Sequence, residues 1–312
     1  MNVSIAFANR TVQTTCLALK LLKPEGTVTL LLAILAFLAL APPPVVADDK
    51  FFDSNGVRIR YVEAGSGEAI VLIHGRAGSA GTWTPIMADL SRNYRVIALD
   101  CRGHGQSSKP HDPKQYGREM SMDIVRLLNH LGIKKAHVLG YSMGAGIASH
   151  VLTLHPERFL TAILGGSAGR FDWSEKDDEQ FEREASEIEK WGFSPSARER
   201  QTGRRLSDTE IRGRSATIFK DDSRDHLAIA ALVRSFKELA VTPTQVASLT
   251  VPTLAIAGSA DPNLAGLREM RRIRPSMELV VIEGATHDGS SGAMLRPEFL
   301  AEVRKFLSAA SR

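Results

Sequence analysis

The pentapeptide Gly140-Tyr141-Ser142-Met143-Gly144 follows an apolar run at 136–139 and precedes a small-residue segment at 145–149 that can open a helix. A serine at the tip of a strand-to-helix turn must hold strained backbone angles, so the residues two before and two after it have to be very small. Gly140 and Gly144 meet that need. Such a nucleophile elbow commits the chain to a strand running straight into a helix. It also lifts the Ser142 hydroxyl out of the sheet and sets it at a helix N-terminus, where N–H groups and the helix dipole favour a developing oxyanion. In isolation the pattern is a modest signal, because loops collect glycine and serine.

The surrounding chain supplies the rest of the architecture. Residues 57–62 alternate like a half-exposed strand, and Gly65-Ser66-Gly67 turns them into the apolar run 69–73, long enough for a buried strand. That run ends at the loop His74-Gly75-Arg76-Ala77-Gly78. A helical stretch at 85–90, a strand at 94–99, the turn 100–107 and a periodic helix at 120–131 lead to the elbow strand. Beyond the elbow helix, 160–164, 251–258 and 278–282 read as further strands, and 297–309 as a closing amphipathic helix. Alternation of this kind predicts an α/β fold with a mainly parallel central sheet and helices on both faces. Between 170 and 241 the chain is heavily charged with a helical period. Phe181, Ala185 and Ile188 form one apolar stripe, and Ile229, Leu232, Val233 and Phe236 another, the pattern of helices laid over something else.

Two further residues stand where open α/β sheets place their sites, just past the carboxyl ends of strands. Asp261 follows the strand that ends at Gly258, and His287 follows the strand at 278–282, so serine, acid and histidine occur in that order. With His74-Gly75, the segment Asp100-x-Arg102-Gly103-His104-Gly105-x-Ser107 and the elbow, these features make residues 51–310 resemble an α/β-hydrolase. The chain is most similar to small esterases and enol-lactonases with a helical cap. The resemblance implies a hydrolase core over 48–169 and 242–312 and a cap insertion over 170–241.

The roles it implies follow from chemistry. A serine hydroxyl is a poor nucleophile near neutral pH, so His287 accepts its proton and returns it to the leaving group, while Asp261 holds the imidazole in the right tautomer. The oxyanion would be met by the backbone N–H of Met143 and by one after His74-Gly75, that of Arg76. Asp288, next to His287, and Asp172, after the sixth strand, compete with Asp261 as the acid. His74 reads as a brace for the oxyanion loop, and Asp100, Arg102 and His104 as ties within their turn. Tyr141 and Met143 flank the nucleophile and are candidates for substrate contact, with packing as the alternative. The Arg76 guanidinium either pairs with an anion on the substrate or points to solvent.

A serine nucleophile excludes the family branches that use aspartate there. What remains is hydrolysis of a carboxylic ester or lactone. Carbon–carbon bond hydrolysis, amide cleavage and perhydrolysis run on the same triad, and a hydrolase-fold protein that only binds a small ligand is the non-enzymatic alternative. No metal or organic cofactor is implied: the sequence carries no H-E-x-x-H, no metal-spaced Cys/His cluster and no phosphate-binding glycine loop. The formal charge of +4 is scattered rather than blocked, and residues 1–47 hold three of the cations against one acid, so neither nucleic acid nor a charged membrane surface is indicated as a partner. Residues 27–47 are uncharged, with an aliphatic core at 30–41, then Pro42-Pro43-Pro44, and Val45 and Ala47 before Asp48. This reads as an export signal over 1–47, cleaved before Asp48, with an uncleaved membrane anchor as the alternative. Cys16 leaves with such a leader. Cys101 then stands alone, a small residue beside a turn rather than a nucleophile.

Overall fold

The computed structural model describes residues 48–219 and 224–310. The leader read at 1–47, with its cleavage point, lies outside the described residues. The sheet begins one strand earlier than the apolar pattern predicts. β1 (Lys50–Ser54) and β2 (Val57–Ala64) form an antiparallel hairpin across Asn55-Gly56, both left-handed at φ 58° and 80°. Two successive left-handed residues give a tight turn whose twist matches its strands, and Asn-Gly adopts them at little steric cost. Five residues of mixed polarity show no period, so only that dipeptide marks β1.

The chain continues through β3 (Ala69–Ile73), a 3-10 turn (Ala80–Trp83), α1 (Thr84–Leu90), β4 (Arg95–Leu99), α2 (Arg118–His130), β5 (Ala136–Tyr141), α3 (Met143–Leu154) and β6 (Phe159–Gly165). The strands lie in the order β1-β2-β4-β3-β5-β6-β7-β8, where β7 is Thr253–Gly258 and β8 is Glu278–Ile282. From β4 to β8 every pairing is parallel, and β2 alone joins the larger sheet antiparallel, beside β4. Parallel neighbours need crossovers, and the crossover helices cover both faces, which is why β3 is apolar at every position. Strand side chains alternate between the faces. Val71 and Ile73 pack with Ile124 and Leu128 of α2 and Ile147 of α3. Ile70 and Leu72 pack with Ile86 and Leu90 of α1 and with Phe299 and Val303 of the last helix. Each such side chain fully withdrawn from water contributes about 1.5–3 kcal/mol.

Between β6 and β7 the chain forms α4 (Glu175–Trp191), α5 (Pro195–Thr202), α6 (Asp208–Ile218), α7 (His226–Arg234), a 3-10 turn (Phe236–Leu239) and α8 (Pro243–Ser248). Caps rather than packing cut this charged stretch into helices. The side chains of Ser174, Ser194, Ser207 and Asp225 each accept the N–H three residues on, and α4 and α5 stop at the left-handed Gly192 and Gly203. The two apolar stripes, read as helices laid over something else, pack on one another. Ala185 and Ile188 of α4 meet Ala230 and Val233 of α7, flanked by Phe181 and Phe236 edge to face at 5.7 Å. Leu232 turns the other way, into the main core. A bridge from Phe171 to Val241, with the Val241 N–H on the Arg170 carbonyl at 2.8 Å, closes the neck of this insertion. After β7 come α9 (Leu264–Ile273) and, past β8, α10 (Pro297–Ala310). No helix of the described residues is long and apolar enough to cross a membrane.

Candidate active site

At the end of β5 the backbone turns through Ser142 at φ 55° and ψ −113° into α3, which Ser142 caps. The steric demand on its neighbours is specific. A Cβ at Gly140 would lie 2.1 Å from the Gly144 carbonyl oxygen, and one at Gly144 would lie 2.0 Å from that of Ile73. The Ser142 N–H donates to the Gly165 carbonyl at 2.8 Å, which pins the tip of the turn to the end of β6.

Two loops bring partners to Ser142. His287, after β8, places Nε2 2.8 Å from Ser142 Oγ, and its Nδ1 lies 2.8 Å from Asp261 Oδ2, after β7. An ionised carboxylate only accepts, so Nδ1 carries the hydrogen and Nε2 is left as the acceptor facing the serine. The Asp261 side chain is wholly buried, and its second oxygen accepts the Asn263 N–H at 2.8 Å. Of the three candidate acids, Asp261 is therefore the one that meets the imidazole. Asp288 instead accepts from Gln201 Nε2 at 3.2 Å, and Asp172 sits in a left-handed turn at φ 52°.

The loop after β3 approaches closely: a Cβ at Gly75 would come within 3.3 Å of Ser142 Cβ. The Gly75 carbonyl accepts from the Gly78 N–H at 3.0 Å, so the chain reverses through Arg76 and Ala77. Among the described residues, the main-chain N–H groups of Arg76 and Met143 donate no hydrogen bond to the protein. His74 braces this loop. Its buried ring accepts the Cys101 N–H on Nε2 at 3.0 Å and donates from Nδ1 to the Gly75 carbonyl at 2.7 Å, an arrangement only the neutral ring can make. Burial pulls its pKa below the usual histidine value. Cys101 is buried too, and burial pushes its thiol well above the ordinary range, so it stays protonated.

The turn after β4 is tied from several sides. Asp100 accepts the N–H groups of Ala80 at 2.7 Å and Gln106 at 2.8 Å. Arg102 forks onto Asp123 of α2 at 2.7 and 2.6 Å, and His104 sits edge-on to His74. Burial pushes His104 down to about 3.

Two side chains take roles that their sequence neighbourhood does not announce. Tyr141, 6% exposed, turns its ring toward the His287 imidazole and donates its hydroxyl to the His287 carbonyl. The Arg76 guanidinium neither points freely to solvent nor stands unpaired: Nη1 donates to Glu184 Oε1 of α4 at 2.5 Å. Glu184, with its side chain 4% exposed, also accepts from Arg200 Nη2 of α5 at 2.9 Å. Pattern reasoning missed Glu184 and Asn263. Glu184 had a signal, since it sits in register with the apolar stripe of Phe181, Ala185 and Ile188, where a lone acid must find a buried partner. Asn263 had none.

Two clefts open on Ser142. One, of about 490 Å³, runs under Phe181 of α4 and Phe236, past Met143 and Ala168. The other, of about 660 Å³, lies between Gly75–Gly78, His287 and α5. Among the described residues no cluster of three or more His, Cys, Asp or Glu could hold a metal ion.

A family model described as alpha/beta hydrolase fold matches residues 68–290. The chain is 30% identical over 211 residues to 3-oxoadipate enol-lactonase 1 of Acinetobacter baylyi, covering 62% of this chain and 71% of that protein. It is 37% identical over 126 residues to the 2-hydroxy-6-oxo-6-(2'-aminophenyl)hexa-2,4-dienoic acid hydrolase of Metapseudomonas resinovorans, covering 39% of this chain and 43% of that one. Over this and three other curated relatives the matched stretch spans between 31% and 51% of their length. Among solved structures, a thermophilic esterase from Thermogutta terrifontis, malate bound, aligns with a TM-score of 0.69 at 25% identity, over 85% of this chain and all of that one.

Proposed function

The chain belongs to the alpha/beta hydrolase fold family, and from that premise we propose that it is a serine hydrolase cleaving a carboxylic ester or lactone through an acyl-enzyme on Ser142. The observation that carries this reading is the relay of 2.8 Å contacts from Ser142 Oγ through His287 to the buried Asp261. Ser142 Oγ attacks the acyl carbon while Nε2 of His287 takes its proton, and the Asp261 carboxylate stabilises the imidazolium. Negative charge on the former carbonyl oxygen falls to the N–H groups of Met143 and Arg76, which no acceptor among the described residues occupies. Collapse of this intermediate expels the alcohol, protonated from Nε2. Water then repeats the sequence on the acyl-enzyme. The helical insertion acts as the cap over Ser142, its α4 and α5 lining the clefts where the two halves of the substrate lie.

Titration with a fluorophosphonate tests the nucleophile: one equivalent bound per chain is expected, and none by Ser142→Ala. Steady-state hydrolysis of p-nitrophenyl esters and a lactone panel should fall by about 10³-fold or more in Ser142→Ala and His287→Ala. A phosphonate-reactive chain that turns over no ester or lactone would move the assignment to carbon–carbon hydrolysis, the reaction class that likeness to the M. resinovorans hydrolase favours. The same proposal extends to location, with residues 1–47 acting as a cleaved leader. Mass spectrometry of the exported chain should then find Asp48 at its N-terminus, and an exported chain that keeps residues 1–47 would remove this part.

A further inference from the structure

The two clefts differ in charge, and the orientation of the catalytic histidine says which half of a substrate each receives. In the reading proposed above, Nε2 of His287 hands its proton to the leaving oxygen, so the leaving half lies in the cleft that His287 lines, and the acyl half in the other. The acyl cleft is walled largely by Met143, Ala168, Phe181, Phe236 and Leu239; its charged groups are Arg76 and Glu184, which pair with each other, and Arg170, held by Asp177 at 2.8 Å. The leaving-group cleft carries three guanidiniums, those of Arg76, Arg198 and Arg200. Glu184, which lines the other cleft, is shared between Arg76 and Arg200, and Asp288, the one acid in the described lining of this cleft, accepts from Gln201. Arg198 is exposed and pairs with no acid of the described residues.

A carboxylate shared by two guanidiniums leaves one positive charge unanswered, and Arg198 adds a guanidinium with no protein partner. We propose that the His287-side cleft is a subsite for a carboxylate on the leaving half of the substrate, so that the natural substrate is an ester or lactone that already carries a free carboxylate on its alkoxy side. The inference rests on the serine-hydrolase reading for the identity of the leaving side. Arg198 on α5 is the adaptable contact, while Arg76 and Arg200 are already oriented by Glu184.

Three esters that differ only in where the charge sits provide the test: 4-acetoxybenzoate on the leaving side, monophenyl succinate on the acyl side, and neutral phenyl acetate. Arg198→Ala should raise KM for 4-acetoxybenzoate by about 10-fold, and Arg198→Glu by more, with kcat little changed and both other esters moving less than about 2-fold. Equal shifts on all three esters, or none, would overturn the subsite. Binding is read separately by calorimetry with 4-hydroxybenzoate and with phenol. If no ester is cleaved but 4-hydroxybenzoate binds the wild type about 10-fold more tightly than Arg198→Glu, the ester-hydrolase reading fails and the anion site stands. If 4-hydroxybenzoate binds no better than phenol, the anion site falls whatever the turnover.

Discussion

Tyr141 shows how one side chain can hold a candidate site together from outside the proposed relay. Its hydroxyl holds the His287 carbonyl, and burial pushes its phenol above the usual tyrosine range, so it stays a donor at any working pH. The ring also fills the gap between His287 and Phe299. Phenylalanine there keeps the packing and removes the tether. Tyr141→Phe is expected to lower kcat about 10-fold with KM unchanged, to slow phosphonylation of Ser142 in proportion, and to cost about 1 kcal/mol in stability. A KM effect with kcat intact would make Tyr141 a substrate contact instead. Asp261 shows what burial adds to a local pattern: its two oxygens are both occupied, by His287 and by the Asn263 N–H, which fixes the imidazole from behind.

At the scale of elements, the elbow works because a strand, a turn and a helix are packed closer than any β-carbon allows. Gly144→Ala places a carbon 2.0 Å from the Ile73 carbonyl and so forces β3 and α3 apart. We expect it to destabilise the fold by at least about 2 kcal/mol and to abolish phosphonylation, both measured on the same sample. A stable, reactive variant would mean that the turn tolerates what its geometry forbids. A second junction is the buried fork of Arg102 on Asp123, which the Ser54 hydroxyl joins, so that β1, the turn after β4 and α2 share one polar knot. Asp123→Asn leaves Arg102 buried with a neutral partner. Urea unfolding should show a loss of about 3–5 kcal/mol, and a loss under 1 would show that water or a shifted side chain replaces the pair.

For the whole molecule, the buried histidines couple stability to pH. Desolvation pushes His150, whose Nδ1 meets the Ser121 hydroxyl at 2.9 Å, from 6.5 down to about 4, and pushes His104 down to about 3. The folded chain keeps these rings neutral while the unfolded chain protonates them near 6.5. Their contribution is therefore fully present above about pH 6.5 and is lost as pH falls from there toward 4. Each histidine adds a slope of about 1.4 kcal/mol per pH unit. The urea midpoint should fall steadily between pH 6.5 and 4.5, and less steeply in His150→Gln, which retains an acceptor for Ser121. Equal slopes in the two proteins would place the titration elsewhere.

The sequence by itself determined the alternation of strand and helix, the elbow, and the placement of an aspartate and a histidine just past late strands. These are legible because they follow from local rules: side-chain period, the size limit around a strained serine, and the geometry of parallel crossovers. The helical nature of the insertion was legible for the same reason, through its two apolar stripes. Only the tertiary structure decided which of three carboxylates meets His287, that the two stripes face each other, and that Glu184 of α4 takes the guanidinium of Arg76, 108 residues away along the chain. Those outcomes depend on how separate elements are set against one another, and the partner of a charged side chain is chosen by that placement rather than by its neighbours in sequence.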